Sequence, residues 1–308
     1  MATGLRFDAR TAPWAGLGRN VRGAKSSMEV LRAAGLDWQV RQEPVMAANS
    51  KVIMPHLLAN IRETDNMPLG AVSDTYEVVQ NAEAFSFIDD MLGEGVTYDT
   101  VGAIRDGQAV WILAHLPNDR MIGGDATKTW LCFTNSFDKS LSLRVAIVPL
   151  RIVCQNMMNF VRNATRSWAT RHTGDIMSKV QDARETLQFA ERYMDNLAED
   201  ARVLQNIGVD EKRFRIILDQ VYPLREGAAD KAVENAGLRT DEILFRWREA
   251  PDLAGKPFDG LRAMNALSDY EGHRIPSRRT PFYGENLFRG MVLRENTVLQ
   301  KAHDLILQ

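Results

Sequence analysis

Cysteine is scarce in this chain, with two in 308 residues, Cys132 and Cys154. Both sit in apolar, strand-like runs, where a buried thiol is the natural reading and a disulfide framework is not. No run of about 18 apolar residues occurs, which removes a membrane helix, and the first thirty residues hold no apolar stretch of signal-peptide length. His56, His115, His172, His273 and His303 are widely separated, and none has a second His or Cys at metal-ligand spacing. His115, inside WILAHL, reads as a hydrogen-bonded strand histidine. There is no GxSxG, GxGxxG or HExxH. The stretch GGDATKT at 123–129 has glycines and a lysine, but a phosphate loop needs glycine just before the lysine, and Thr127 stands there. Charge of one sign is lacking too, since 38 Lys and Arg against 40 Asp and Glu leave a net charge of −2. Nothing therefore draws the whole molecule to nucleic acid or membrane, and a polyanion site has to be local. These absences predict a cytoplasmic protein with no cofactor, no metal and no membrane partner.

What is present centres on residues 141–172, LSLRVAIVPLRIVCQNMMNFVRNATRSWATRH. Leu141 to Cys154 is rich in Val, Ile and Leu around Pro149, which predicts a bent or edge-placed strand. The remainder predicts a helix, with Met157, Phe160, Val161, Ala164 and Trp168 on one face and Gln155, Asn159, Arg162 and Arg166 on the other. From Leu141 to Lys179 the cations Arg144, Arg151, Arg162, Arg166, Arg171 and Lys179 face a single acid, Asp175. Arginines on a strand and on the helix after it would line one groove and neutralise successive phosphates without reading bases. The predicted nucleic-acid contacts are Lys128, Arg144, Arg151, Gln155, Asn159, Arg162, Arg166 and Arg171.

Around this stretch the patterning predicts an α+β fold: an antiparallel sheet with a β-β-β-α core, followed by a helical C-terminal half. Residues 1–24 have Gly, Pro and Arg without period and predict an extended arm. Residues 25–174 form the α+β core. In it Ser26 caps a short helix ending at Gly35, strand-like runs follow from Trp38 to Tyr76 around the polar turn 63–66, and a helix occupies 79–92. Strands at YDTVGAIRDG, QAVWILAHL and KTWLCFTNS then lead into 141–154, with Asp106-Gly107 as a hairpin turn. Residues 175–308 are the helical region. Ile176, Val180, Ala183, Leu187, Ala190, Met194, Leu197, Ala201 and Leu204 keep 4-3 spacing, the seam of a helical hairpin or coiled coil. Further helices are predicted at 210–222, 228–249, 261–270 and 295–307. The seam and the open edge of the meander both predict a homo-oligomer.

Two acidic groupings offer acid–base chemistry on paper: Asp269, Glu271 and His273 in SDYEGHR, and Asp89 with Asp90 in FIDD. Carboxylates one or two positions apart point apart on a helix, so both predict caps or solvated helix ends.

Four runs carry a family resemblance: PWAGLG at 13–18, LGAVSDTYEVVQNAEAFSFID at 69–89, VPLRIVCQN at 148–156 and AMNALSDYEGHR at 263–274. Together they resemble the phage/plasmid-like proteins of the family called domain of unknown function 932. In place of the Thr-Leu usual there after VCQN, this chain has Met157 and Met158. The resemblance implies a mobile-element setting and a cytoplasmic protein without an established cofactor. The strand and basic-helix order is also similar, at the level of topology, to single-strand annealing recombinases, which bind single-stranded DNA as rings or filaments. The function expected is thus single-stranded DNA binding and annealing in phage or plasmid recombination or replication. A protein-binding module of a mobile element, countering host defence, and an enzyme whose site is assembled from distant residues are the alternatives.

Overall fold

Strands that are apolar on both faces need cover on both sides, and that requirement shapes the molecule. The computed structural model describes residues 12, 14–141, 143–153, 167–170, 183–273, 282–293 and 296–308. The protein is α+β, with antiparallel sheets in its N-terminal half and helices in its C-terminal half. The main sheet is built from β1 (Gly18–Asn20), β5 (Thr97–Ile104), β6 (Ala109–His115), β8 (Asp125–Ser136), β9 (Leu143–Arg151) and β10 (Ser167–Thr170), in the order 1-5-6-8-9-10. A short β7 (Arg120–Ile122) pairs with the start of β8. Along β8 and β9, Leu131, Phe133, Val145 and Ile147 enter the larger core, while Trp130, Cys132, Ala146, Val148 and Leu150 enter a smaller one on the reverse face.

The reverse face is closed by Trp14, Phe288 and Val292. Trp111 sits at its centre with its ring 4.5 Å from that of Phe288. The ring fits because two neighbouring strands have no side chain there. A Cβ on Gly102 would lie 2.5 Å from Trp111 Cζ2, and one on Gly18 2.7 Å from its Cη2.

A second sheet stands beside the first: β2 (Val40–Met46), β3 (Ile53–Arg62) and β4 (Met67–Ser73), paired in chain order. The helix α1 (Ser27–Ala34) has Ser26 as its N-cap, accepting from Glu29 N, and Gly35 in the left-handed region as its stop, as predicted. The helix predicted at 79–92 begins as α2 (Asn81–Ser86) and tightens to a 3-10 helix over Phe87–Glu94. In GGDATKT, Gly123 and Gly124 adopt φ of +58° and +85° and turn β7 into β8, so the stretch is a hairpin, not a phosphate cradle.

The helical half comprises α3 (Ala183–Gln205), α4 (Glu211–Val221), α5 (Asp230–Glu249), α6 (Gly260–His273), α7 (Tyr283–Phe288) and α8 (Thr297–Leu307). The 4-3 seam is buried from Ala190 onward, where Ala190, Met194, Leu197, Ala201 and Leu204 are solvent-excluded, and Leu187 before them is partly buried. Its partners are α6, the 3-10 helix and the sheet strands β7 and β9 rather than a coiled-coil mate. Seam residues Ile176 and Val180 lie outside the described residues. One hydrophobic cluster joins Val145 and Ile147 of the sheet to Leu197, Trp247 and Leu267 of the helices, so the change of element type near residue 174 falls within a shared core.

The helical reading of 155–172 is corrected at its C-terminal end. Ser167–Thr170 is the strand β10, antiparallel to β9, with Ser167 opposite Ala146 and Ala169 opposite Arg144. Trp168 and Thr170 suit a strand, and the edge of β9 supplies backbone groups that need partners. Residues 155–166 of that stretch lie outside the described residues. The other edge, along β5, is occupied over Thr100–Gly102 by β1, so part of the predicted arm is tied down.

Gly102→Ala should destabilise the fold by about 1–3 kcal/mol, because the Trp111 ring would be displaced. Gly93→Ala, with open space around its Cβ, should change little. Urea denaturation of both variants checks the contrast.

Candidate nucleic-acid interface

The side-chain alternation of β8 and β9 places Lys128 and Arg144 on the same reverse face, both half-buried. They stand at opposite ends of it. Lys128 pairs with Leu150 and Thr134 with Arg144, so at a rise of about 3.3 Å per residue the two cations are roughly 20 Å apart along the strands. Between them the face is filled by the small aromatic core, with the Trp14 and Trp130 rings 5.2 Å apart. The predicted cations therefore flank a closed surface.

Arg151 departs from its expected role, and the structure corrects it. It falls on the other face and is fully buried. Its Nε donates to Asp125 Oδ2 at 2.9 Å, Nη2 makes a second, short bond to the same oxygen, and Nη1 donates to Asp252 Oδ2 at 3.2 Å. Lys256 Nζ adds contacts of 2.6 and 2.5 Å to the two Asp125 oxygens. A guanidinium enclosed by two carboxylates is matched within the fold and offers nothing to a phosphate. Gln155, Asn159, Arg162, Arg166 and Arg171 lie outside the described residues.

Beside Lys128 is a polar cluster that patterning did not reveal. A bulge between Tyr98 and Thr100 in β5 turns Asp99 toward the reverse face. There its carboxylate, almost wholly buried, accepts from Trp130 Nε1 at 2.9 Å and from Arg22 Nε. His115 stands edge-on to Trp130, ring centres 5.1 Å apart. Its Nε2 is buried without a hydrogen bond and is 3.6 Å from Asp119 Oδ1, which corrects the hydrogen-bonded reading at that nitrogen. Burial, and after it the charge of Lys128, holds the imidazole pKa below the ordinary histidine value. Nothing in the strand pattern marks a bulge; His115 alone was visible.

The acidic groupings behave differently from expectation. Asp89 accepts from Ser27 N at 2.6 Å, Ser27 Oγ at 2.9 Å and Tyr98 OH at 2.5 Å, so it does serve a helix start, that of α1, from a distance. The reading of Asp269 and Glu271 as caps or solvated ends is corrected. Both are buried, because α6 is enclosed by its neighbours. Asp269 accepts from Arg246 Nη1 at 2.6 Å and Glu271 from Tyr222 OH at 2.6 Å. Two positions apart on a helix, they do point apart, each to a different partner. Among the described residues no three His, Cys, Asp or Glu are grouped to hold a metal, and no helix is long and apolar enough to cross a membrane.

A family model described as "Domain of unknown function (DUF932)" matches residues 68–302, about three quarters of the chain. This chain belongs to that family. The DUF932 match begins in β4 and ends in α8, so it takes in the main sheet from β5 onward and the helices from α2 to α7. Neither the curated proteins nor the solved structures gave a match.

Arg151→Met should cost about 3–5 kcal/mol, since Asp252 would lose the guanidinium in a buried place and Asp125 would keep Lys256 alone; chemical denaturation reads it. For His115, the depressed folded-state pKa means that the unfolded chain takes up the proton first as pH falls. The stability contributed by the neutral ring is present above the unfolded value of about 6.5 and is lost as pH drops below it toward the folded one. His115→Gln should therefore lose less stability than the parent between pH 7.5 and pH 5 in parallel urea titrations.

Proposed function

We propose that this chain binds single-stranded DNA along the β9–β10 side of the main sheet and acts by annealing in phage or plasmid recombination or replication, in the host cytoplasm. The observation that carries the reading is the register of β10 on β9. Ser167 lies opposite Ala146 and Ala169 opposite Arg144. The basic stretch read from the sequence thus runs straight into a strand lying beside Arg144. Arg166 and Arg171 flank that strand in sequence, and cations on either side of a strand bordering Arg144 would suit a backbone-tracking site for a single strand. With the molecule at net −2, such a site works only by segregating charge. Arg151 takes no part, and Lys128 marks the far end of the same face.

The test is a salt titration of binding to labelled single strands of several sequences. Replacing Arg162 and Arg166 together by Gln should weaken binding to every sequence alike and flatten the slope of log affinity against log salt by roughly 0.7 per lost contact. Arg144→Gln should add to the effect. Thermal melts should show the double variant as stable as its parent. A parent that fails to bind at low salt, or a double variant with an unchanged slope, would end the DNA reading in favour of the protein-binding one.

A further inference from the structure

The β2–β3 hairpin grows more exposed toward its tip. At its base Val40 pairs with Arg62, and Asn60 and Ile61 are buried. β4 accompanies β3 only as far as Leu57, so beyond it the ribbon is two-stranded. At the tip Met46, Val52, Ile53 and Met54 are between 45% and 60% exposed. Solvent is a poor place for four large apolar side chains on one projection, and such a cluster marks a contact surface. The tip is ordered by Ala47 N to Val52 O and Lys51 N to Ala47 O, both 2.9 Å. Pro44 and Pro55 remove a backbone donor from each strand near the tip. Docking by side chains is therefore favoured over adding a strand.

The same chain carries a concave counterpart. Between α4 and the N-terminal half of α5 lies a groove of about 520 Å³ lined by Leu218, Leu224, Val233 and Ala236. No residue of α5 before Ile243 is buried, and Leu224 and Val233 are about half exposed. On the groove wall Arg215 is engaged by Glu211 at 3.1 Å and Asp241 at 3.7 Å, and Arg239 lies over the Tyr222 ring at 4.2 Å. Asp219, also on that wall, has no ion pair among the described residues, and neither has Lys51 on the tip. Tip and groove are both open to solvent within one copy, so neither fills the other internally.

We propose that the β2–β3 tip of one copy seats in the α4–α5 groove of a second copy, with Lys51 facing Asp219. The two surfaces are different, so the contact is heterologous and repeats head to tail, closing into a ring or extending as a filament. Both surfaces are apolar, and Lys51 and Asp219, each without an ion pair among the described residues, carry opposite charge. The inference is independent of DNA binding and is tested without DNA.

Sedimentation of the full chain at micromolar concentrations should show species above 34.7 kDa. A tip variant, Ile53→Asp with Met54→Asp, and a groove variant, Leu224→Asp with Val233→Asp, should each run as monomers. Mixed in equal amounts they should form dimers and nothing larger, because each contributes one intact surface. All four positions are exposed, so melting curves should stay close to the parent's. Lys51→Asp should weaken association several-fold, and Asp219→Lys in the same chain should restore it, a readout that holds even if a double variant misfolds. A monomeric parent at every concentration, a mixture that stays monomeric, or loss of assembly in the tip variant alone would each overturn the proposal.

Discussion

A guanidinium with no exposed surface needs its charge matched where it lies, and Arg151 has that match from parts of the chain far apart. Asp125 opens β8, Asp252 and Lys256 lie in the connection from α5 to α6, and all three meet at the end of β9. The connection is gripped from its other side by Arg262, also buried. That guanidinium donates to Trp247 O and Leu253 O at 2.6 Å, Lys256 O at 2.7 Å and Arg248 O at 2.9 Å, collecting carbonyls at and beyond the C-terminus of α5. Against well-packed apolar groups such a network contributes little net stability. Its consequence is geometric. The ionic contacts close only when the β7–β8 hairpin, the end of β9 and the helical connection are all in place, so the position of the helices on the sheet is tied to one register.

That network also explains where reading the sequence succeeds and where it stops. β5, β6, β8 and β9 were legible because their apolar runs are bounded by Asp106-Gly107 and the 137–140 turn, and the helix ends at Gly35, Pro223 and Pro251 because those residues end helices for local reasons. The 4-3 spacing of α3 identified the buried face correctly. It could not say what covers that face, since a stripe packed on a sheet and one packed on a second helix share the same period. Trp168 was misplaced for a related reason. Over the four residues of β10, helical spacing and strand alternation are hard to separate, and the edge of β9 decided the matter.

Arg151 shows the deeper limit. An arginine in a strand reads as a surface cation, because the residues that neutralise it are 26 and 101 positions away. Arg246 repeats the lesson with Asp269, 23 positions distant. A local excess of positive charge therefore overstates what is available to a polyanion until the internal pairs are subtracted. After that subtraction the candidate site rests on the rim of the reverse face rather than on its middle, which Trp14, Phe288 and Val292 occupy.

Closing both faces of the sheet has a further effect on where contacts can form. With the faces sealed by helices on one side and a small aromatic core on the other, recognition is left to edges and projections. A free two-stranded ribbon is marginal in water, yet β2–β3 is fixed at its root. Gln80 spans Val40 with a donor and an acceptor at 2.9 Å each, and Asn60 Nδ2 donates to Phe137 O at 2.7 Å. Gly70 allows β4 to lie against Asp138 where a Cβ would come within 2.6 Å of backbone. Much of the ordering that docking would otherwise cost is already met by folding, so an apolar tip on this base is prepared for contact before a partner arrives.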